Sequence, residues 1–201
     1  PEIHTLARKT EISYNTPMSF DMKLVGEHNQ FNATFVYTIC TQLYGCTDAD
    51  CRRAIEGFEG LAHRMQYVGK VNGVDYYNES ISTIPQATLE AIKSIPNAKT
   101  VLIGGMDRHI NYQVLIRFIK THPEYTYILA YESGKRIYDS VSDQPSVHYV
   151  KDLAESVALA KKITPEGGAC LLSPAAASYG YFKNFEERGE KFMQLVREVT
   201  L

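Results

Sequence analysis

One strand–helix–strand pattern dominates the sequence, and it lies in residues 100–130, which read TVLIGGMDRHINYQVLIRFIKTHPEYTYILA. Thr100–Ile103 is a short apolar run of the kind that forms a buried strand. A glycine pair follows it, then an apolar helical pattern over Val114–Ile119 and a second apolar run over Tyr127–Ala130. Strands separated by a helix predict a right-handed βαβ unit with parallel strands.

The same alternation extends to both sides of this unit. Towards the N-terminus, Tyr67–Val71 and Val74–Tyr77 flank Asn72-Gly73, a dipeptide that favours the two-residue turn of a β-hairpin. A helix is predicted to begin at Pro85. Beyond residue 130 the predicted elements are a short helix over Arg136–Val141, a strand over Val147–Val150, a helix over Leu153–Lys162, a strand over Ala169–Leu172 and a helix over Glu186–Val199. We therefore predict a Rossmann-like α/β fold, a mostly parallel sheet with helices on both faces and an N-terminal β-hairpin.

The first sixty residues have a different, mainly helical pattern. Apolar residues recur at helical spacing from Asn29 to Leu43, and Thr47 has the character of an N-cap for a second helix that reaches Phe58. The chain begins at Pro1 without an initiating Met, so we expect it to be a piece of a longer chain. A boundary near residues 57–60 divides it into domains over 1–60 and 61–201.

Composition narrows the function classes. The 201 residues include 21 basic and 23 acidic side chains, a formal net charge of −2, so no basic excess predicts nucleic acid as a partner. No apolar run approaches the ~20 residues that span a bilayer, and we expect a monomeric, cytoplasmic protein. The four cysteines form no CxxC pair and no metal-ligand spacing occurs, so we predict no metal site and reduced, non-catalytic thiols.

Polar loops follow three of the predicted strands, over residues 78–83, 104–109 and 173–178. Ligands of open parallel sheets bind beyond the carboxyl ends of the strands. Gly104 and Gly105 could let a ligand approach the backbone, and Arg108 could pair with a carboxylate or phosphate. Each loop also has a purely structural explanation, namely helix capping or tight packing. The absence of a GxGxxG pattern argues against a nucleotide-dependent oxidoreductase.

Two asparagines three residues apart, Asn29 and Asn32, share one face at the start of the first predicted helix. Their amides could hydrogen-bond the edge of a base. Asn29 could instead simply cap that helix. His63 and Arg64 follow the domain boundary, as a candidate contact to a nucleotide phosphate or as a solvated surface pair.

Taken together, these segments resemble the C-terminal part of the Mur ligases, most closely the MurD type. The residues that carry the resemblance are Gly26–Ala33, Leu61–Met65, Tyr77–Ser80, Gly104–Arg108, Leu172–Ser178 and Phe182–Gly189. The run KNFEERG in the last segment is typical of MurD-type enzymes, whereas folylpolyglutamate synthase-like ligases share only the architecture. The resemblance implies that residues 1–60 are the tail of a central ATPase domain and 61–201 a C-terminal amino-acid-binding domain.

The resemblance also implies an activity in peptidoglycan synthesis, the making of cell-wall precursors. Such a ligase uses ATP and Mg²⁺ to form an acyl phosphate on UDP-N-acetylmuramoyl-L-alanine, which the amine of glutamate then attacks. This chain has no GxxxxGK[ST] loop to cradle phosphates. We therefore expect it to contain no complete catalytic set, to hold neither ATP nor Mg²⁺ by itself, and to be inactive alone.

The resemblance assigns eight residues to two kinds of site. The nucleotide site would use Asn29 and Asn32 for adenine together with Arg64 and Glu79; the glutamate site would use Thr83, Arg108, Ser178 and Phe185. Glu79-Ser80-Ile81 stands where many MurD-type enzymes have Asp-Ser-Lys, and Arg108 stands where a lysine is common. These departures leave an L-glutamate-adding enzyme open beside a D-glutamate-adding one. A freestanding anion-binding or scaffolding domain is a further alternative.

Overall fold

The structure is a computed structural model that describes residues 18–24 and 26–198. The chain forms two compact units, Pro1–Glu59 and Gly60–Leu201. The assignment of these units to domains of a larger protein remains a prediction. None of the helices in the described part of the chain combines the length and apolar character that a bilayer crossing needs.

The first unit contains two helices, α1 (Glu27–Leu43) and α2 (Asp48–Glu56). Gly26 occupies the N-cap of α1 and makes no side-chain cap. The prediction that Asn29 could cap this helix is therefore wrong, because Asn29 lies inside the first turn. Thr47 caps α2 as predicted, since its side chain accepts a backbone hydrogen bond within the first turn. The second helix ends before the predicted Phe58.

Strands and helices alternate through the second unit. The strands are β1 (Gln66–Val71), β2 (Val74–Asn78), β3 (Ala98–Ile103), β4 (Thr126–Ala130), β5 (Val147–Val150) and β6 (Ala169–Leu172). The helices are α3 (Pro85–Ser94), α4 (Gln113–Thr121), α5 (Tyr131–Tyr138), α6 (Leu153–Ile163) and α7 (Phe185–Arg197). The α7 helix thus begins one residue before the predicted Glu186, and the predicted end at Val199 lies outside the described residues.

These strands form one sheet in the order β1-β2-β6-β3-β4-β5. The β1 and β2 strands are antiparallel, and all the other neighbours are parallel. Asn72 and Gly73 have φ values of 50° and 75°, the left-handed pair that a two-residue hairpin turn requires. The predicted mostly parallel sheet with an N-terminal hairpin is confirmed.

Both faces of the sheet are covered, as predicted. Side chains alternate across β3, so Val101 and Ile103 join the core beneath α3, α4 and α5, while Leu102 joins the core beneath α6 and α7. A strand buried on both faces has apolar residues at successive positions rather than at alternate ones. This explains the uninterrupted apolar run in the sequence of β3.

The predicted start of the third helix of the alternation is wrong. The α5 helix begins at Tyr131, directly after β4, rather than at Arg136. Tyr131 turns the chain with a φ of 62°, and its hydroxyl accepts a hydrogen bond from the N–H of Leu153 (2.9 Å). Gly134 lies close to the backbone of Leu129, so the absence of a side chain there allows close packing of the helix on the strand.

Candidate functional site

Three loops meet at the carboxyl edge of the sheet, where β2, β6 and β3 end. The Ser173 hydroxyl donates a hydrogen bond to a carboxylate oxygen of Glu79 (2.7 Å), which joins the loops after β6 and β2. Two backbone hydrogen bonds, of 2.8 and 2.9 Å, join residues 104–106 to residues 174–177. The three polar loops predicted from the sequence therefore form one continuous surface.

Glu79 is a titratable group of this surface whose pKa is strongly displaced. Burial, the largest cause, raises the pKa of its carboxyl to about 7, while the hydrogen bond from Ser173 and the charge of Arg64 act in the opposite direction. Near neutral pH the carboxyl is therefore divided between its protonated and ionised forms. The charge of Arg64 thus acts on the Glu79 carboxyl, and the contact of both residues with a nucleotide remains a prediction.

His63, beside Arg64, is buried rather than part of a solvated surface pair. Its side chain meets the amide of Asn78, whose oxygen accepts a hydrogen bond from the N–H of Ser80 (3.1 Å). The amide nitrogen of Asn78 consequently faces Nδ1 of His63 (3.0 Å). Since Nδ1 accepts this hydrogen bond, the neutral imidazole carries its hydrogen on Nε2.

The glycine of the KNFEERG run has a packing explanation. A Cβ atom at Gly189 would overlap Nδ1 of His63 and would lie 2.8 Å from the amide nitrogen of Asn78. The absence of a side chain lets α7 approach the end of β2 and the turn that holds His63. The glycine therefore preserves the hydrogen bond between His63 and Asn78.

Arg188 is a functional candidate that the sequence interpretation left without a role. It is only 1% exposed, and its guanidinium donates to the Ser80 hydroxyl (3.0 Å), the Ser80 carbonyl (2.7 Å) and the Ala176 carbonyl (3.0 Å). Burial lowers its pKa to about 10. No carboxylate of the described residues forms an ion pair with it. Arg188 thus ties the loop after β2 to the loop after β6 through neutral oxygens.

Of the four predicted glutamate-site residues, three lie on these loops and Phe185 is the first residue of α7, which the same contacts join to the loops. Ser178 is 3% exposed, Thr83 and Phe185 are half-buried, and Arg108 is exposed. The Ser80 hydroxyl donates to the carbonyl of Phe185 (2.7 Å), which joins the start of α7 to the loop that continues to Thr83. The isolated bridge between residues 106 and 177 places the Arg108 loop beside the Ser178 loop.

The interpretation of the glycine pair as room for a ligand is wrong. A Cβ atom at Gly104, whose φ is 128°, would overlap the carbonyl of Ala130, and one at Gly105 would overlap the carbonyl of Ala177. The space beside both glycines is filled by neighbouring protein backbone. Their function is to let the ends of β3, β4 and β6 approach one another.

The loop that carries Arg108 is anchored from α5. Arg136 donates to both carboxylate oxygens of Asp107 (2.7 and 2.9 Å). Burial by itself raises the pKa of Asp107, but hydrogen bonds from Arg136 and from the backbone of His109 outweigh it and hold the pKa below its ordinary value. Asp107 is therefore fixed in place, while the neighbouring Arg108 side chain remains exposed to solvent.

In the first unit, Asn29 and Asn32 lie one turn apart on α1, Asn29 partly buried and Asn32 exposed. An amide offers both donors and an acceptor, which suits the edge of a base. Within residues 18–24 and 26–198, no group of His, Cys, Asp and Glu has the arrangement of a metal site.

Comparison with known proteins finds relatives of this chain in sequence and in fold. A UDP-N-acetylmuramoylalanine–D-glutamate ligase from Aquifex aeolicus is 36% identical over 177 residues, 88% of this chain and 42% of that protein. A UDP-N-acetylmuramoyl-L-alanine–L-glutamate ligase from Salinispora tropica is 39% identical over 187 residues, 89% of this chain and 41% of that protein. The crystal structure of the UDP-N-acetylmuramate-alanine ligase MurC from Thermotoga maritima shares the fold, with a TM-score of 0.61, 21% identity, and coverage of 86% of this chain and 38% of that one. No family model matches the chain.

The fold and the sequence relatives together define the class: the chain belongs to the Mur ligase family, as the C-terminal part of its members. It spans about two fifths of the length of the relatives described above. Within the family, its sequence is similar to the glutamate ligases of the MurD type.

Proposed function

We propose that this chain is the acceptor part of an ATP-dependent ligase that joins glutamate to UDP-N-acetylmuramoyl-L-alanine in peptidoglycan precursor synthesis. Residues 61–201 would hold glutamate, and residues 1–60 would be the end of the ATP-binding domain. D-glutamate is the proposed amino acid, and L-glutamate the alternative, which the Salinispora tropica relative supports. A monomeric protein acting in the cytoplasm is part of the same proposal.

One observation carries this proposal: the loops that hold Thr83, Arg108 and Ser178 and the start of α7 at Phe185 are joined by hydrogen bonds at the carboxyl edge of the sheet. A dicarboxylate ligand needs a cation and hydrogen-bond donors on a fixed frame. Arg108 supplies the cation, and Ser178 and Thr83 supply hydroxyl groups. Because hydrogen bonds join these segments, the amine of glutamate would be held in one orientation for its attack.

The nucleotide part of the proposal rests on the donor set. The amides of Asn29 and Asn32 fit the edge of adenine, and Arg64 carries a charge that fits a phosphate. ATP with Mg²⁺ would supply the phosphoryl group that activates the carboxylate of UDP-N-acetylmuramoyl-L-alanine. Since these 201 residues contain no GxxxxGK[ST] loop, we propose that they do not turn over ATP without the rest of such a ligase.

An NMR titration with each enantiomer of glutamate tests the acceptor site. We expect saturable amide shifts at Arg108, Ser178 and Phe185 with D-glutamate. Ser178→Ala should weaken binding about tenfold or more, since a hydrogen bond to a charged group contributes ~1.5–3 kcal/mol. Ser140→Ala, at an exposed serine after α5, is the matched control and should bind as the parent does.

The outcomes separate the alternatives. Saturation by L-glutamate alone would identify an L-glutamate-adding enzyme. Shifts confined to other residues, or equal weakening by Ser140→Ala, would contradict the site. ADP formation that requires UDP-N-acetylmuramoyl-L-alanine and one glutamate enantiomer, measured on the complete ligase, would exclude a non-catalytic anion-binding or scaffolding domain.

A further inference from the structure

Three of the four cysteines gather at the corner between α1 and α2. Cys40 lies in the last turn of α1, Cys46 in the connecting loop and Cys51 in α2. The N–H of Cys46 donates to the carbonyl of Cys40 (3.1 Å), which folds the loop back onto the helix end. Cys46 is exposed, Cys40 is half-buried and Cys51 is only 7% exposed.

The cap of α2 explains why two of these thiols meet. Thr47 is the N-cap; its hydroxyl accepts from the N–H of Asp50 (3.2 Å) and donates to an Asp50 carboxylate oxygen (2.7 Å). Cys46 therefore occupies the position before the cap, and Cys51 the fourth position of the helix. Side chains at these two positions pack against each other in the hydrophobic staple that accompanies such caps. Here cysteines occupy both positions of the staple.

The two thiols of the staple differ in their chemistry. Burial, the largest cause, raises the pKa of the Cys51 thiol, and the neighbouring Cys46 and Cys40 thiols raise it further. Cys51 consequently stays protonated and shielded from reagents in solution. Cys46 is the thiol that a soluble oxidant can reach, and reactivity towards oxidants follows exposure and thiolate character.

We propose that Cys46 and Cys51 form a reversible redox modification site whose oxidant is a peroxide. The Cys46 thiolate attacks the O–O bond, becomes a sulfenic acid and releases hydroxide, which takes up the proton lost from Cys46 to give one water. Cys51 then attacks the Cys46 sulfur as its thiol proton passes to the sulfenic hydroxyl; the S–S bond forms, the S–O bond breaks and a second water leaves. Two thiols are oxidised, one peroxide is reduced, and a thiol reductant reverses the change.

We expect the other two cysteines, Cys40 and Cys170, to take no part in this disulfide. Cys40 contacts the same corner and is left free when the staple closes. Cys170 lies in β6 and is fully buried, so it should not react in the folded protein. A metal site is disfavoured at this corner, because the described residues contain no group with metal-site geometry.

The test treats the intact protein with one equivalent of hydrogen peroxide, blocks free thiols with N-ethylmaleimide after unfolding, and maps the peptides by mass spectrometry. We expect a chain about 2 Da lighter before blocking, with the Cys46 and Cys51 peptides cross-linked and both other cysteines alkylated. Dithiothreitol should restore all four thiols. Cys170→Ser is the matched control and should oxidise as the parent does.

Variants distinguish the two roles. In Cys51→Ala, dimedone should trap a sulfenic acid at Cys46, whereas Cys46→Ser should leave Cys51 unoxidised. Circular dichroism of each variant, with Cys51→Ser as a second variant at the buried position, verifies that α2 still forms. A cross-link to Cys40 or Cys170, a disulfide between two chains, or four free thiols after peroxide treatment would each overturn the proposal.

Discussion

Replacing Glu79 with Gln should abolish a pH dependence in the free energy of unfolding. The fold holds the pKa of this carboxyl at about 7, against an ordinary value of 4.5, chiefly because the group is buried. The unfolded chain releases the proton near pH 4.5, whereas the folded chain retains it until about pH 7. Between these values the folded state binds more protons, so stability falls as the pH rises.

The size of the effect follows from the same two values. At about 1.4 kcal/mol for each pH unit in that window, ionisation of Glu79 lowers the free energy of unfolding by about 3 kcal/mol. Glutamine cannot ionise, and its carbonyl oxygen can still accept the hydrogen bond that Ser173 donates to Glu79. The variant therefore removes the charge and preserves the contact.

Urea unfolding of the parent and of Glu79→Gln at pH values from about 4 to 8 measures the effect, since the free energy of unfolding falls linearly with denaturant. The difference between the two proteins should grow through the window and become constant above about pH 7. Glu190→Gln, at an exposed glutamate of α7, is the control and should parallel the parent. Parallel curves for Glu79→Gln and the parent would refute the reasoning, as would a parent that gains stability relative to the variant between pH 4.5 and 7.

Three further substitutions test the contacts that frame the site, each by urea unfolding. Arg188→Lys should destabilise the protein by about 2–4 kcal/mol, because an ammonium group cannot replace the diverging donors to Ser80 and Ala176. An unchanged urea midpoint would contradict the role of Arg188 in joining the two loops. Gly189→Ala should destabilise the protein by about 1–3 kcal/mol, since the overlap of the new methyl group with His63 outweighs the helical preference of alanine. A variant more stable than the parent would contradict this and show that α7 can shift away from His63. Asp107→Asn should lose about 1–2 kcal/mol at neutral pH through its weakened contact with Arg136. Because the folded pKa of Asp107 is depressed, the difference should begin to shrink below pH 3.8 and vanish as the pH falls through that depressed pKa; a loss that persists at still lower pH would contradict the charge argument.

Much of the fold could be predicted because local pattern determines it. The strands β3 to β6 have apolar runs bounded by polar turns, and Asn72-Gly73 specifies the hairpin turn by its backbone preference alone. The start of α5 could not be predicted, because Gly134 permits close packing and a glycine in a helical pattern normally weakens the helix. The insertion of β6 between β2 and β3 depends on contacts between residues far apart in the sequence.

The position of the candidate site could be predicted from the sequence, but the contacts that hold its loops together could not. Polar loops after parallel strands indicate where a ligand can bind, and the structure joins those loops. Arg188 and Ser80 are 108 residues apart, so no local pattern reveals that one side chain holds the loop of the other. The glycine pair was misinterpreted because room for a ligand and room for neighbouring backbone require the same residue.

The hydrogen bonds of Arg188 and Arg136 hold the loops at the carboxyl edge of the sheet, while the exposed side chain of Arg108 remains free to bind a ligand. Arg188 satisfies the buried carbonyls of Ser80 and Ala176, which would otherwise be unpaired at considerable free-energy cost. Arg136 likewise holds the loop after β3, by donating hydrogen bonds to the carboxylate of Asp107. The buried Arg188 is bound to neutral oxygens, and the exposed Arg136 is bound to a carboxylate. The side chain of Arg108 faces solvent. The charges of Arg188 and Arg136 are therefore already engaged, whereas Arg108 stays available to an incoming carboxylate, as the glutamate proposal requires.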